Sequence, residues 1–220
     1  MTLPRETVVS GLVEELVGFD ALIRPLRAEE WSTPTRCSGW TVADVAAHVV
    51  GTAADIAAGR ANLLTEPDRP DRQAQERAGR SPEELADELV AAGKVLADIA
   101  SGLDDAAWAG PPPVEVPGTL GMAVEGIWYD AYVHADDIRD ALGRPSEHGP
   151  GLRAAVSHVV DLLSDRDWGP ATLRLDGMDP VAVGGGGPEV RGDPLMFVLV
   201  ATGRAHPIEL GLDQTVNLYA

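Results

Sequence analysis

The sequence predicts a mainly α protein, in which a helical bundle is followed by a small α+β domain. Apolar residues recur at three- and four-residue spacings over most of the first 165 positions, a pattern typical of helices that bury one face. After Trp168 this pattern changes to alternating apolar and polar residues interrupted by glycines, which is typical of short strands and turns. We therefore expect the helical bundle over residues 1–165 and the α+β domain over residues 166–220.

Five helices are expected in the first domain. Their predicted ranges are 5–27, 42–60, 82–101, 119–143 and 151–165. Thr41 and Ser81 supply N-cap oxygens, and each is followed three residues later by an acid, which favours a helix start. Gly143 is typical of a helix C-cap, and Pro145 follows it closely.

Two segments between these helices are predicted to be irregular. Residues 65–80 are polar and contain proline, so they are expected to form a loop or a short exposed helix. Residues 110–118 include three consecutive prolines, which are incompatible with a helix interior.

The second domain is expected to contain short strands and one short helix. Asp193 and Pro194 favour a helix start, and the glycines at 184–187 favour a hairpin turn. The predicted strands are ATLRLD (171–176) and VAV (181–183), with IELGL (208–212) and TVNLY (215–219) as further candidates.

The composition excludes several classes of protein. With 35 acidic and 17 basic residues the formal net charge is −18, so neither a nucleic acid nor a membrane surface is an expected partner. The single cysteine, Cys37, excludes an intrachain disulfide and an all-cysteine zinc site. We find no secretory signal and no apolar stretch near the roughly 20 residues that span a bilayer, so a cytoplasmic protein is expected. The oligomeric state stays open, with a homodimer among the options.

Familiar nucleotide-binding and hydrolase motifs are missing from the sequence. There is no GxxxxGK[ST] phosphate loop and no GxSxG nucleophile elbow. Residues 149–154 fit GxGxxA formally, but they follow a helix where a dinucleotide fold requires a strand, so we attribute the fit to chance.

Three residues form a candidate metal site. Asp130 and His134 are four residues apart on a predicted helix, so both side chains project to one side and can chelate a divalent ion. His48 lies within a helix of Ala and Val, where it is expected to face the bundle interior or its mouth. Together they would form a His₂–carboxylate site with open coordination positions. The spacing alone leaves the alternative open, which is a structural Asp–His pair and a core histidine.

Each of several other polar residues allows two interpretations. Cys37 is either a small packed residue or a thiol activated near a helix N-terminus. Asp44 and Asp137 are either surface charges or acceptors for the second nitrogen of a ligating imidazole. The remaining histidines, expected to be solvated, packed or turn residues, are His148, His158 and His206.

Three blocks of sequence resemble a known family. WSTPTRCSGWTVADVAAH at residues 31–48 resembles the N-terminal signature of the mycothiol-dependent maleylpyruvate isomerase family, which belongs to the DinB/YfiT-like metal-binding bundles. DAYVHADDIRDALG at residues 130–143 is similar to the second block of that family, and residues 192–219 are similar to its C-terminal domain. The first block is the most specific, because its Trp, Cys, Gly-Trp and His must all fall in register.

The resemblance implies a DinB-like up-down four-helix bundle that binds a divalent metal ion, most often zinc, with nickel or manganese as alternatives. The ligands of the family would fall on His48, Asp130 and His134, and the implied thiol cofactor is mycothiol. One departure is visible: the isomerases of the family carry Glu where this chain has Asp130, whose side chain is one methylene shorter.

The implied function is thiol-dependent chemistry on a small electrophilic substrate, by isomerisation or by S-transfer. In this interpretation Arg204 orients a carboxylate of the substrate; the alternative is that it complements the dipole of the last helix. A metal-dependent hydrolase and a non-catalytic metal- or ligand-binding protein of the same fold remain the other hypotheses.

Overall fold

The computed structural model describes residues 3–219, which form nine α-helices, three short 3₁₀ turns and one three-stranded sheet. The helices are α1 (Arg5–Ile23), α2 (Ala28–Trp31), α3 (Val42–Ala57), α4 (Arg69–Glu76), α5 (Pro82–Gly102), α6 (Asp105–Ala109), α7 (Leu120–Ala141), α8 (Pro150–Asp165) and α9 (Pro194–Ala201). The strands are β1 (Ala171–Leu175), β2 (Val181–Val183) and β3 (Glu189–Gly192). The predicted fold class, mainly α with a small α+β part towards the C-terminus, is confirmed.

The chain divides into two compact units. One is Pro4–Glu147, and the other contains the described residues from His148 onward together with Leu3. The sequence placed the boundary after residue 165, whereas α8 groups with the second unit, because its buried face packs against α9.

Four long helices build the first unit. Helix α1 packs against α5 and α7, and α3 packs against the same two helices. The largest fully buried apolar side chains between them are Phe19, Ile23, Leu85, Leu89, Trp128, Tyr132 and Ile138. Burying such side chains stabilises the fold by about 1.5–3 kcal/mol each, before the conformational entropy that opposes it.

The predicted helix starts are confirmed in detail. Thr41 and Ser81 accept hydrogen bonds from the backbone amides of Asp44 and Glu84, and each acid bonds back to the cap, which completes two capping boxes. Gly143 follows the end of α7 with φ +63°, the left-handed conformation that favours glycine.

Helix α4 corrects the expectation of a loop or a short exposed helix over residues 65–80. It begins at Arg69 and packs against α3, and Arg69, Gln73 and Ala74 are buried. The segment looked exposed because polarity normally indicates a solvated face; here Asp55 of α3 pairs with the buried polar side chains.

The second unit contains the sheet, with strand order β2-β1-β3. β1 pairs antiparallel with β2 and parallel with β3, and β3 was not predicted from the sequence. The two candidate strands near the C-terminus are wrong, since Pro207–Leu210 and Gln214–Val216 form 3₁₀ turns. Side chains at their starts, His206 and Asp213, accept backbone N–H groups and so favour turns over strands. Across the described residues, no helix is both long and apolar enough to cross a bilayer.

Candidate metal centre

The structure brings the three predicted ligands together in the first unit. His48 lies on α3, and Asp130 and His134 lie one turn apart on α7, which packs against α3. The two oxygens of Asp130 lie 3.5 Å from His48 Nε2 and 3.5 Å from His134 Nε2. The imidazole centroids are 4.9 Å apart, and one ligand atom of each residue falls within 4.8 Å of the others.

The cluster is closed on one side and accessible on another. His48 and His134 are both buried, whereas the Asp130 side chain is 30% exposed. The Trp40 ring lies against both imidazoles, with its centroid 5.3 Å from His48 and 6.3 Å from His134. Solvent therefore reaches the carboxylate side, while an aromatic ring covers the histidines.

The Nδ1 atom of each imidazole, which faces away from Asp130, has a hydrogen-bond partner. His48 Nδ1 lies 2.8 Å from Gln73 Oε1, and His134 Nδ1 lies 2.9 Å from Asp137 Oδ2. Both partner atoms can accept a hydrogen bond from Nδ1, so the Nε2 atom of each ring is the one that faces the Asp130 carboxylate. Two imidazole nitrogens and a carboxylate are the donor set that zinc and related divalent ions take, and the three residues therefore fit such an ion.

Asp137 is the second partner that the sequence suggested, and its surroundings keep it fixed. It is fully buried and receives a 2.6 Å hydrogen bond from Arg36 Nε and a 3.1 Å hydrogen bond from Cys37 Sγ. One ligand atom each of Cys37, His134 and Asp137 also lies within 4.8 Å of the others. In that second group, however, the Asp137 carboxylate is already paired with the Arg36 guanidinium, which competes with any ion for its charge.

Asp44 serves the helix rather than the cluster. Its Oδ2 accepts hydrogen bonds from the Thr41 backbone amide at 2.9 Å and from the Thr41 hydroxyl at 2.6 Å, while Gln73 is the residue that bonds His48. Of the two acids suggested as imidazole partners, Asp137 is therefore the one in contact with its histidine.

Arg204 lies in the second unit, three residues after the end of α9. It is half-buried, and its backbone amide donates to the carbonyl of Leu199. His206 in the same unit accepts from the amide of Ile208, as a turn residue does, and the exposed His148 lies 3.5 Å from Asp193.

The sequence analysis did not identify Gln73 or the residues that hold it in place. Gln73 Nε2 donates to Asp55 Oδ2 at 2.8 Å, and Arg69 donates to both oxygens of Asp55, at 2.7 and 2.9 Å. Burial raises the pKa of Asp55, but hydrogen bonds from Arg69, Gln73 and Arg60 outweigh it and hold the pKa below its usual value. The available signal was the spacing of Arg69, Gln73 and Arg77, which places three long polar side chains on one face of a short helix.

Fold and site together define a mainly helical protein with a His₂–carboxylate cluster between two of its long helices. The chain belongs to the family of the mycothiol maleylpyruvate isomerase N-terminal domain, whose sequence model matches residues 12–139. The resemblance stated from the sequence is therefore confirmed.

Similar proteins fall into two groups. Two uncharacterized proteins of Mycobacterium tuberculosis (strain H37Rv) are 32% and 31% identical, each over 61% of this chain and over 56% and 66% of their own lengths. The chain thus spans little more than half the length of the first. Crystal structures of the mycothiol-dependent maleylpyruvate isomerase and of a mutant of it align with TM-scores of 0.66 and 0.64 at 18% identity, over 92% of this chain and 90% of theirs. At that identity the likeness concerns the fold.

Proposed function

We propose that this chain is an enzyme that uses a divalent metal ion and mycothiol to isomerise a small electrophilic substrate or to transfer the thiol to it. The observation that supports this most is the convergence of His48 Nε2, His134 Nε2 and the Asp130 carboxylate, with both Nδ1 atoms engaged behind them. Zinc is the ion we propose first, with nickel and manganese as alternatives for the same donor set.

The residues of the chain would hold the ion and leave space beside it. Three ligands from two helices leave coordination positions open, and the exposed side of Asp130 gives a thiol access to them. When bound, a divalent ion lowers the pKa of a coordinated thiol, so that a nucleophilic thiolate is present at neutral pH.

Two further residues would act on the bound molecules. The Trp40 ring would exclude water from the histidine side, because it already covers both imidazoles. The Arg204 guanidinium would orient a carboxylate of the substrate, since its planar fork matches that group. An Arg204→Gln variant is accordingly expected to raise KM more than it lowers kcat, with the metal content unchanged.

Metal analysis and turnover test the proposal together. We expect about one zinc per purified wild-type chain, a loss of that zinc in His134→Ala, and its retention in His148→Ala, which removes an exposed histidine of the second unit. Added zinc should raise the Tm of the wild type and not that of His134→Ala. Maleylpyruvate with mycothiol is the first substrate pair to assay, because the family name supplies it.

The outcomes separate the hypotheses. Isomerisation or S-conjugate formation that requires both zinc and mycothiol supports the proposal. Zinc-dependent hydrolysis without a thiol identifies a hydrolase, and stoichiometric zinc without turnover over a panel of thiols and electrophiles identifies a binding protein. Wild-type chain that takes up no zinc, nickel or manganese contradicts all three.

A further inference from the structure

We infer that Gln73 is a positioning residue that fixes the tautomer of His48, so that Nε2 of His48 is the ligating nitrogen. The inference rests on the proposed function only in its consequence for metal binding; the tautomer itself is a property of the protein without the ion. It assigns a role in the site to α4, a helix that carries none of the predicted ligands.

The orientation of the Gln73 amide follows from its far side. Gln73 Nε2 faces Asp55 Oδ2 at 2.8 Å, and an ionised carboxylate only accepts hydrogen bonds. The amide nitrogen must therefore point towards Asp55, and the amide oxygen towards His48. The flipped amide would set two acceptor oxygens against each other inside the protein.

Asp55 is itself held in place. Arg69 donates to both of its oxygens, and Arg60 Nη2 donates to Oδ1 at 2.9 Å. Gln73 and Asp55 are fully buried, so neither can exchange these partners for water. The donors are consequently fixed: the arginines and Gln73 all donate to Asp55, which leaves Gln73 Oε1 to accept from His48.

These hydrogen bonds decide which nitrogen of a neutral His48 ring carries the proton. Gln73 Oε1 is 2.8 Å from Nδ1, whereas the Asp130 carboxylate is 3.5 Å from Nε2. The shorter contact with a fixed acceptor favours the Nδ1–H tautomer and leaves the Nε2 lone pair directed into the cluster. With the proton on Nε2 the ring would have no lone pair to offer there.

A glycine in α3 makes the close approach of α4 feasible. A Cβ atom at Gly51 would lie 2.7 Å from both Cβ and Cγ of Gln73, which is too close for any side chain. Because Gly51 has no side chain, Gln73 can settle against α3 within reach of His48, one turn away.

The test is a comparison of Gln73→Met with wild type and with Thr52→Val. Met keeps the length of Gln and replaces the amide oxygen by a thioether, which is only a weak acceptor. Thr52 is a buried neighbour whose hydroxyl lies 3.5 Å from Gln73 Oε1. Long-range ¹H–¹⁵N spectra of the metal-free proteins, at a pH where the rings are neutral, report the tautomer of His48. Zinc affinity is then measured by competition with a chromophoric chelator.

We expect wild type and Thr52→Val to show the Nδ1–H tautomer, and Gln73→Met to shift towards Nε2–H with zinc affinity about 10- to 100-fold weaker. An Nε2–H tautomer in wild-type protein overturns the inference whatever the variants do. Zinc affinity in Gln73→Met equal to that of Thr52→Val overturns it as well. Wild-type protein with the expected tautomer but no zinc binding contradicts the proposed function alone.

Discussion

The two histidines of the cluster are held by different means. His134 takes its partner from its own helix, where Asp137 lies three residues further along α7. His48 takes its partner from another helix, because Gln73 is 25 residues away and reaches it only when α4 docks on α3. One half of the site is therefore encoded locally, and the other depends on tertiary packing.

This difference makes the His48 side the more vulnerable half of the site. On the His134 side, helix formation by α7 is enough to bring Asp130, His134 and Asp137 onto neighbouring turns. On the His48 side, Gln73 is held by Asp55, which is itself buried in an ion pair with Arg69. Buried pairs are costly to break, so damage at this point should spread to the site.

The largest expected effect is the loss of that pair. Asp55→Ala removes a buried carboxylate that accepts from Arg69, Arg60 and Gln73, and it leaves Arg69, which is 4% exposed, paired with Glu76 alone. It should destabilise the protein by about 3 kcal/mol in chemical denaturation. Asp68→Ala removes an exposed acid next to the same helix and should change the stability by less than about 0.5 kcal/mol. Equal stabilities for the two variants would show that α4 is not anchored through Asp55.

The next effect comes from closing the gap between α3 and α4. Gly51→Ala places a methyl group in contact with Gln73 and should cost about 1–3 kcal/mol, with a loss of zinc affinity in the same variant. Gly18→Ala is the matched control, because Gly18 lies in α1 with no atom within 4 Å of the added carbon. A Gly51→Ala protein with wild-type stability and zinc affinity would mean that α4 can move without disturbing His48.

On the His134 side of the site, Asp137→Asn weakens the hydrogen-bond acceptor for His134 Nδ1. The expected loss of zinc affinity is about 10- to 100-fold, since the partner of a ligating imidazole sets its orientation and basicity. Combined with Gln73→Met, the two losses should multiply, because the variants act on different ligands. Losses that do not multiply would indicate that the two halves form one coupled network.

The smallest effect concerns Glu15 of α1, which lies outside both halves of the site. Burial raises the pKa of Glu15 to about 7, partly offset by the hydrogen bond from Trp128 Nε1. The folded protein therefore holds a proton that the unfolded chain releases near pH 4.5, and the stability from this group is lost as the pH rises towards 7. Glu15→Gln stays neutral and keeps an acceptor for Trp128.

This variant should therefore be more stable than wild type at pH 8, and the difference should shrink towards pH 5. Urea denaturation of both proteins across that range measures it. A stability difference between the two proteins that does not change with pH would show that Glu15 does not titrate in this range.

The same contrast explains what could be predicted from the sequence. The caps at Thr41 and Ser81, the Asp130–His134 spacing and the Asp137 contact are local, so residue patterns indicated them. Gln73 was missed because its role depends on which face of α4 is buried and on an ion pair with a residue of another helix. Likewise, β3 was missed and two 3₁₀ turns were predicted as strands, because short apolar segments do not reveal their pairing partners.

X-ray absorption spectroscopy of the zinc-loaded protein, without added thiol, tests the central claim most directly. Two groups of residues compete for the ion: His48, Asp130 and His134, and the overlapping group of Cys37, His134 and Asp137. The first group predicts only nitrogen and oxygen ligands at about 2.0–2.2 Å, with the multiple-scattering signature of two imidazoles. A sulfur ligand at about 2.3 Å, or the signature of a single imidazole, would contradict it and place the ion on Cys37 instead.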